Sequence, residues 1–446
     1  MHLVVLSTNL PRRCGLATFT ADLRSAMAVS APDWRVEVCA IDRDGLSYGP
    51  EVAEVIRQDD RGDYRRAAHA VAATGADLVV IQHEYGIFGG SQGRYVLDFA
   101  DELSAIGMPY AVTLHTVLSS PEPEQAEVLT QLCRRARRVT VFTESAREIA
   151  LKAGWGTPEQ LVVVPHGVPT SLAEPVDPAE IGPVVAEALS DTAGRRVLTT
   201  FGLLRPGKGL ETAIEAMPAI VRQHPEVVYL IAGATHPEVV RTSGEQYREE
   251  LVALAQRLQV ADHVRFVDTF LTDPELAALL QRTDLYLTPY RTSQQASSGA
   301  LTFAMAAGCP VVSTSYPYAR ELVTPAGRPA AGTLVPFEDP DALAEAVCDL
   351  LGDSERFRTA QQAALTTAAA LSWPAVAATF AEVFRTAAAP TRRLRAPHRT
   401  HPVKLRKLFG EIRVPRAAGG EPRWATSPRL PDHSSQPPSA TGPASR

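Results

Sequence analysis

Residues 284–314, DLYLTPYRTSQQASSGALTFAMAAGCPVVST, constrain this chain more than any other stretch. Two short segments of strand character, 284–289 and 310–314, bracket a polar loop and a helix of small residues. Leu301, Met305 and Cys309 recur at helical spacing, while Ala304, Ala306 and Ala307 permit close backbone packing. Ser297, Ser298 and Gly299 stand where that helix should begin, with Ala300 in its first turn. A helix start presents free N–H groups and a partial positive charge, which together make an anion site. In a strand–loop–helix unit of an open α/β sheet, that is also where ligands bind. The same residues read equally as a serine-capped helix with no ligand.

The rest of the chain repeats this unit. Apolar runs at 3–6, 36–41, 78–81, 111–114, 139–142 and 161–164 alternate with helix-length segments such as 17–29 and 92–105. After a stretch rich in Pro, Ala and Asp, strands at 196–201, 227–232 and 264–266 alternate with helices at 210–222, 247–258, 274–281 and 341–351. The alternation predicts α/β domains with parallel, doubly wound sheets and sites at the strand C-termini. At 446 residues the chain exceeds one ordinary core. The expected organisation is a first domain over 1–170, a linker over 171–195 and a second domain over 196–370. A helix over 371–389 should cross back onto the first domain, ahead of a basic tail over 390–446.

Composition narrows the class. With 45% hydrophobic and 21% charged residues, this is a soluble globular composition. No run approaches about 18 apolar residues, and the opening strand is too soon interrupted for a secretory signal. Cys14, Cys39, Cys133, Cys309 and Cys348 are scattered and lack C-x-x-C spacing, as for packed thiols in a reducing cytoplasm. The net charge of −6 hides an asymmetry. Residues 389–446 hold twelve Lys or Arg against three Asp or Glu, a balance of +9 that leaves about −15 on the rest. An acidic body argues against nucleic acid as the partner.

Three strand-end loops carry candidate chemistry. The first, TNLPRRCG at 8–15, leads into a helix, and Gly15 permits close backbone approach. Lacking G-x-G-x-x-G, it is not a dinucleotide fingerprint. The second, QHEYGIFGG at 82–90, places His83, Glu84, Tyr85, Gly89 and Gly90 on a loop suited to face a substrate. It is not a zinc-protease motif, because Ile87 stands where H-E-x-x-H needs histidine. The third, GLLRPGKG at 202–209, joins Gly202, Arg205, Lys208 and a helix start. Adaptable backbone, a movable ammonium and a helix dipole together suit a diphosphate. Gly209 stands where a P-loop needs Ser or Thr. Asp42-Arg43-Asp44 is a D-x-D without a second ligand cluster and reads as a solvated loop, so no metal site is expected.

The segment D-x(4)-P-(loop)-A-M-A-A-G-x-P-V-V-x-T resembles the donor-site segment of the retaining GT-B glycosyltransferases, family 4. The resemblance implies two Rossmann-like domains facing across a cleft, with a nucleoside diphosphate sugar as co-substrate and no cofactor or metal. It places the Gly15 loop against the sugar or diphosphate and the 82–90 loop near the acceptor. His115 matches the family's strand-end histidine facing the donor sugar, and Lys208 matches its motif lysine. Leu203 replaces the motif arginine, with Arg205 two residues on as a stand-in. In the family an E-x(7)-E pair contacts sugar and ribose, and here Gln295 and Phe303 occupy those positions. Gln295 retains the ability to bond a sugar hydroxyl, whereas Phe303 accepts nothing from a ribose. Amides at Ser298, Gly299 and Ala300 would meet the diphosphate. Glu321 resembles the acidic residue before the family's G-x-L-V segment, and His166 replaces the common Asn of its P-N-G-V linker.

The expected activity is transfer of a sugar to a hydroxyl acceptor, which would be a glycan, a lipid or a small molecule. His115 and Lys208 are the catalytic candidates. A binding protein that has lost turnover, favoured by Leu203, Gln295 and Phe303, and a phosphate-using phosphorylase are the alternatives. In the tail, Leu405, Leu408, Phe409 and Ile412 follow helical spacing among basic residues. That pattern reads either as peripheral contact with anionic lipid at the inner face of the membrane or as docking on the acidic body. A cytoplasmic location accords with both.

Overall fold

Strands covered by helices on both faces read as continuous apolar runs, and β4 (Leu78–His83) is buried at all six positions. The computed structural model describes residues 1–294 and 297–389. In it β4 joins β1 (His2–Ser7), β2 (Arg35–Asp42), β3 (Val52–Arg57), β5 (Tyr110–Leu114), β6 (Val139–Val141) and β7 (Leu161–Val163). Their order is β3-β2-β1-β4-β5-β6-β7. A second sheet holds β8 (Arg196–Phe201), β9 (Val227–Ala232), β10 (Val264–Val267), β11 (Leu285–Thr288), β12 (Val311–Thr314) and β13 (Gly332–Val335). Its order is β10-β9-β8-β11-β12-β13. The pairings are parallel throughout both sheets.

Each sheet reverses its winding beside its first strand, between β1 and β4 and between β8 and β11. Crossovers leave to opposite faces at such a point and open a crevice at the strand C-termini. The 8–15 and 82–90 loops therefore flank one crevice. The 202–209 loop and the helix Gly299–Ala306 flank the other.

Met1–Pro390 form one compact unit, because the two sheets share a core. Leu3, Val5 and Phe19 of the first domain cluster with Leu301, Met305 and Tyr316 of the second. Trp373, Phe380 and Phe384 of the helix Trp373–Ala388 complete that cluster. Trp373 Nε1 donates to Asp22 Oδ2 on the helix Gly15–Ser30 at 3.2 Å. The indole lies directly on the backbone at Gly167, where a Cβ would stand 2.3 Å from its Cδ2.

Some elements have no counterpart in the sequence reading. Edge strand β3 is only partly buried, since Glu54 and Arg57 interrupt its apolar run. The helix Arg61–Ala73 buries only Asp63, Tyr64, Ala67, Ala68 and Val71 along a charged sequence, and the helix Ser354–Ala369 buries alanines and Thr367, so neither shows a strong apolar period. The segment read as a linker carries the helix Pro183–Asp191, whose Val185 enters the core of the second sheet. Among the described residues no helix is long and apolar enough to cross a membrane. The basic tail and Gln295 lie outside the described residues.

Candidate active site

On the second sheet, the helix Gly299–Ala306 begins at Ser298, whose Oγ accepts from Leu301 N at 3.2 Å and lies 3.2 Å from Tyr290 Oη. Ser298 is thus committed as a cap. The amides of Gly299 and Ala300, in the first helical turn, have no acceptor within the helix. Beneath them the glycine turn after β8 lets Lys208 fold back. Gly202 has φ +108°, and a Cβ there would stand 2.9 Å from Lys208 Nζ. The ammonium donates to Phe201 O at 2.9 Å and sits 5.6 Å from the centroid of Tyr290. Burial pulls its pKa below the ordinary lysine value, although Tyr290 partly offsets this. Among the described residues Lys208 has no carboxylate partner. Arg205 is exposed at the same turn, close enough to Glu84 of the first domain to offset slightly the rise that burial gives that carboxyl's pKa.

On the first sheet, His115 follows β5 and its Nε2 lies 2.7 Å from Gln82 Oε1. Its ring is held edge-on by Phe19 and Phe142, with centroids 4.7 and 5.0 Å away. Burial, with smaller effects of His166 and His83, keeps it neutral far below the usual histidine pKa. A Cβ on Gly15 would meet nothing within 4 Å, so the first turn of its helix is open to a ligand.

The 82–90 loop departs from the substrate-facing role read from sequence. Along β4, Val80 belongs with the core shared between the domains and Ile81 with the opposite face. By the two-residue period, Gln82 therefore turns toward His115 and His83 turns away. His83 is wholly buried beside Phe88 and Tyr85, neither ring nitrogen has a partner, and burial lowers its pKa to about 3. Tyr85 Oη is likewise sealed without a partner. Gly89 and Gly90 serve packing: a Cβ would stand 2.1 Å from Gln58 O at Gly89 and 2.7 Å from the Tyr95 ring at Gly90. Only Glu84 stays near the cleft. It accepts from Thr116 Oγ1 at 2.5 Å and from Tyr85 N at 3.0 Å, and burial raises its pKa.

Glu321, expected from the resemblance among the donor-binding residues, is instead engaged across the domain interface. Its carboxylate accepts from Glu144 N at 3.1 Å, from Ser145 N at 2.8 Å and from Ser145 Oγ. A second-domain carboxylate therefore caps a first-domain helix, Glu144–Lys152. Asp42 is not a solvated loop residue: it accepts from Asp44 N, Gly45 N, Leu46 N and Tyr48 Oη and so builds its own turn. No group of three metal-ligating side chains occurs among the described residues.

The two crevices face each other. Ser297 Oγ donates to His115 O at 3.0 Å. Arg43 Nη1 lies 3.5 Å from Glu238 Oε2, and the Arg13 guanidinium lies 5.7 Å from the Phe270 centroid. His166 meets Phe303 at 6.1 Å between centroids and lies 3.2 Å from where a Gly299 Cβ would stand. Its Nδ1 is 2.8 Å from Gly167 O, and burial lowers its pKa to about 4. Phe303 also faces Phe201 at 6.5 Å. Arg43 and Ser297 carried no sequence signal of this role, since only the docking of the two domains brings Glu238 and His115 near them, whereas Gln82 meets His115 within the first domain through the pairing of β4 with β5.

Two doubly wound sheets closing on one cleft, with a last helix returning to the first domain, define the GT-B fold. Residues 186–366, which include Lys208 and the helix Gly299–Ala306, match the family model for glycosyl transferases group 1. A D-inositol 3-phosphate glycosyltransferase of Segniliparus rotundus is 28% identical over 284 residues, 61% of this chain and 60% of its own. A GDP-mannose-dependent alpha-(1-6)-phosphatidylinositol monomannoside mannosyltransferase of Mycobacterium tuberculosis is 30% identical over 223 residues, 49% of this chain and 54% of its own. The chain thus spans little more than half the length of these curated relatives. HepE of Anabaena, solved with UDP and glucose, superposes with TM-score 0.68 at 18% identity over 86% of this chain and 100% of that one. Sucrose-phosphate synthase of Thermosynechococcus elongatus gives 0.67 at 21% identity over 86% and 98%.

Proposed function

We propose that this chain is a glycosyltransferase that moves a sugar from a nucleoside diphosphate sugar to a hydroxyl acceptor, with retention of configuration and without a metal ion. The observation that carries this reading is Lys208, a partly buried ammonium with no carboxylate partner among the described residues. Tyr290 links it to the start of the helix Gly299–Ala306. A cation beside unmet amides calls for an anion, and a diphosphate supplies one. As the sugar–phosphate bond breaks, Lys208 and the Gly299 and Ala300 amides stabilise the charge on the leaving oxygen. On the same face that oxygen takes the acceptor's proton while the acceptor oxygen bonds the anomeric carbon. His115, neutral and clamped, orients the sugar.

A thermal-shift screen of nucleotide sugars, followed by transfer assays in excess EDTA, tests the reading. One donor should raise the melting temperature and be turned over with its anomeric configuration kept, as read by proton NMR. Loss of activity on chelation, restored by Mg²⁺ or Mn²⁺, removes the metal-independent part. Phe303, packed on His166 and Phe201 where the resemblance expects a ribose-binding carboxylate, favours a second reading as a binding protein without turnover. Tight nucleotide binding with no transfer to any acceptor would establish it. For the basic tail we propose contact with anionic lipid. Truncation after residue 389 should then lower binding to phosphatidylserine vesicles and leave turnover on a soluble acceptor intact.

A further inference from the structure

Gln82 ends β4, is wholly buried, and holds its Oε1 2.7 Å from His115 Nε2. Its amide nitrogen is sealed from water and finds no partner among the described residues. An unmet buried donor is costly, and an apolar residue of similar size would avoid that cost. What the position provides is the carbonyl and its bond to the imidazole.

That bond decides the tautomer. A carboxamide oxygen only accepts, so Nε2 carries the ring proton and Nδ1 keeps a lone pair. Nδ1 has no partner among the described residues, and it is not one of the buried polar atoms sealed from solvent. Phe19 and Phe142 hold the ring edge-on, and His115 O is anchored by Ser297 Oγ from the opposite domain. The ring is therefore fixed in both orientation and protonation.

We propose that Gln82 is a positioning residue that presents His115 Nδ1 to the cleft as an unprotonated hydrogen-bond acceptor, matched to a hydroxyl of the donor sugar. The identity of that ligand rests on the glycosyltransferase reading; the tautomer does not.

Long-range proton–nitrogen correlation spectra of the full-length protein, labelled at histidine nitrogens, read the tautomer without substrate. The His115 signal is assigned by its loss in His115→Asn. Wild type should show a protonated Nε2 and a bare Nδ1, Gln82→Leu a mixture of tautomers, and Gln82→Glu a return to the protonated Nε2. A proton on Nδ1 in the wild type overturns the proposal, as does a Gln82→Leu spectrum identical to wild type. Should Gln82→Leu fail to fold, the wild-type spectrum still decides. In transfer assays, Gln82→Leu should lower kcat/KM for the sugar nucleotide about tenfold, the loss of one hydrogen bond, with partial recovery in Gln82→Glu. A protein that turns over no nucleotide sugar yet shows the expected tautomer refutes the glycosyltransferase reading and upholds the role of Gln82.

Discussion

Lys208 illustrates how one side chain can serve the site at the expense of the fold. A partly buried ammonium without a counter-charge destabilises the empty protein, and an anionic ligand reverses that. Lys208→Ala should weaken nucleoside diphosphate binding by ~1.5–3 kcal/mol, roughly tenfold to a hundredfold, in calorimetry. The melting temperature of the unliganded variant should not fall. Unchanged affinity would take Lys208 out of the site. The turns that carry Lys208 and Gly15 were legible in the sequence because glycine turns and strand ends mark themselves. His83 was not, because 78–83 is buried throughout and shows no alternation to say which face each residue takes.

The helices report on the join between domains. Glu321 caps the helix Glu144–Lys152 from across the interface, and a lost cap of this kind costs ~1 kcal/mol. Glu321→Ala should lower the melting temperature slightly and enlarge the radius of gyration in small-angle scattering as the domains loosen. A radius equal to wild type would reduce Glu321 to a local cap. Gly167→Ala tests the other side of the join. Its Cβ would stand 2.3 Å from the Trp373 ring, so the helix Trp373–Ala388 must shift, at ~1–3 kcal/mol. Denaturant unfolding should show that loss, and a change under 0.5 kcal/mol would argue that the last helix adapts freely.

Across the whole molecule, buried titratable groups set opposing pH limits. Burial holds His166 at about 4 and His83 at about 3, against about 6.5 for an unfolded histidine. Between those values the unfolded chain binds more protons, so stability falls as pH drops below about 6.5, by up to ~1.4 kcal/mol per unit per group. Asp22 behaves oppositely. Burial and the nearby Asp273 raise its pKa to about 7, so its native form holds a proton that the unfolded chain has released above about 4. Its contribution is lost as pH rises through 7. Melting temperature against pH should therefore peak at mildly acidic pH, and Asp22→Asn should lift the profile progressively from about pH 4 and in full above about 7, leaving the most acidic end unchanged. A profile unchanged by Asp22→Asn would show that this carboxyl titrates normally.

The sequence alone determined the alternation of strands and helices, and with it two parallel sheets whose strand ends carry the polar loops. That information is local: apolar runs, glycine turns and helix starts act over a few residues. Only the tertiary structure decided what the polar side chains do. Glu321 and Glu84 have equally ordinary surroundings in sequence, yet one caps a helix 176 residues away and the other lies near Arg205 in the cleft. The pairing of His115 with Gln82 and Ser297 likewise depends on strand order and on the docking of two domains. Contacts between residues so distant in the chain arise from packing two sheets around one shared core, and no pattern within either segment encodes them.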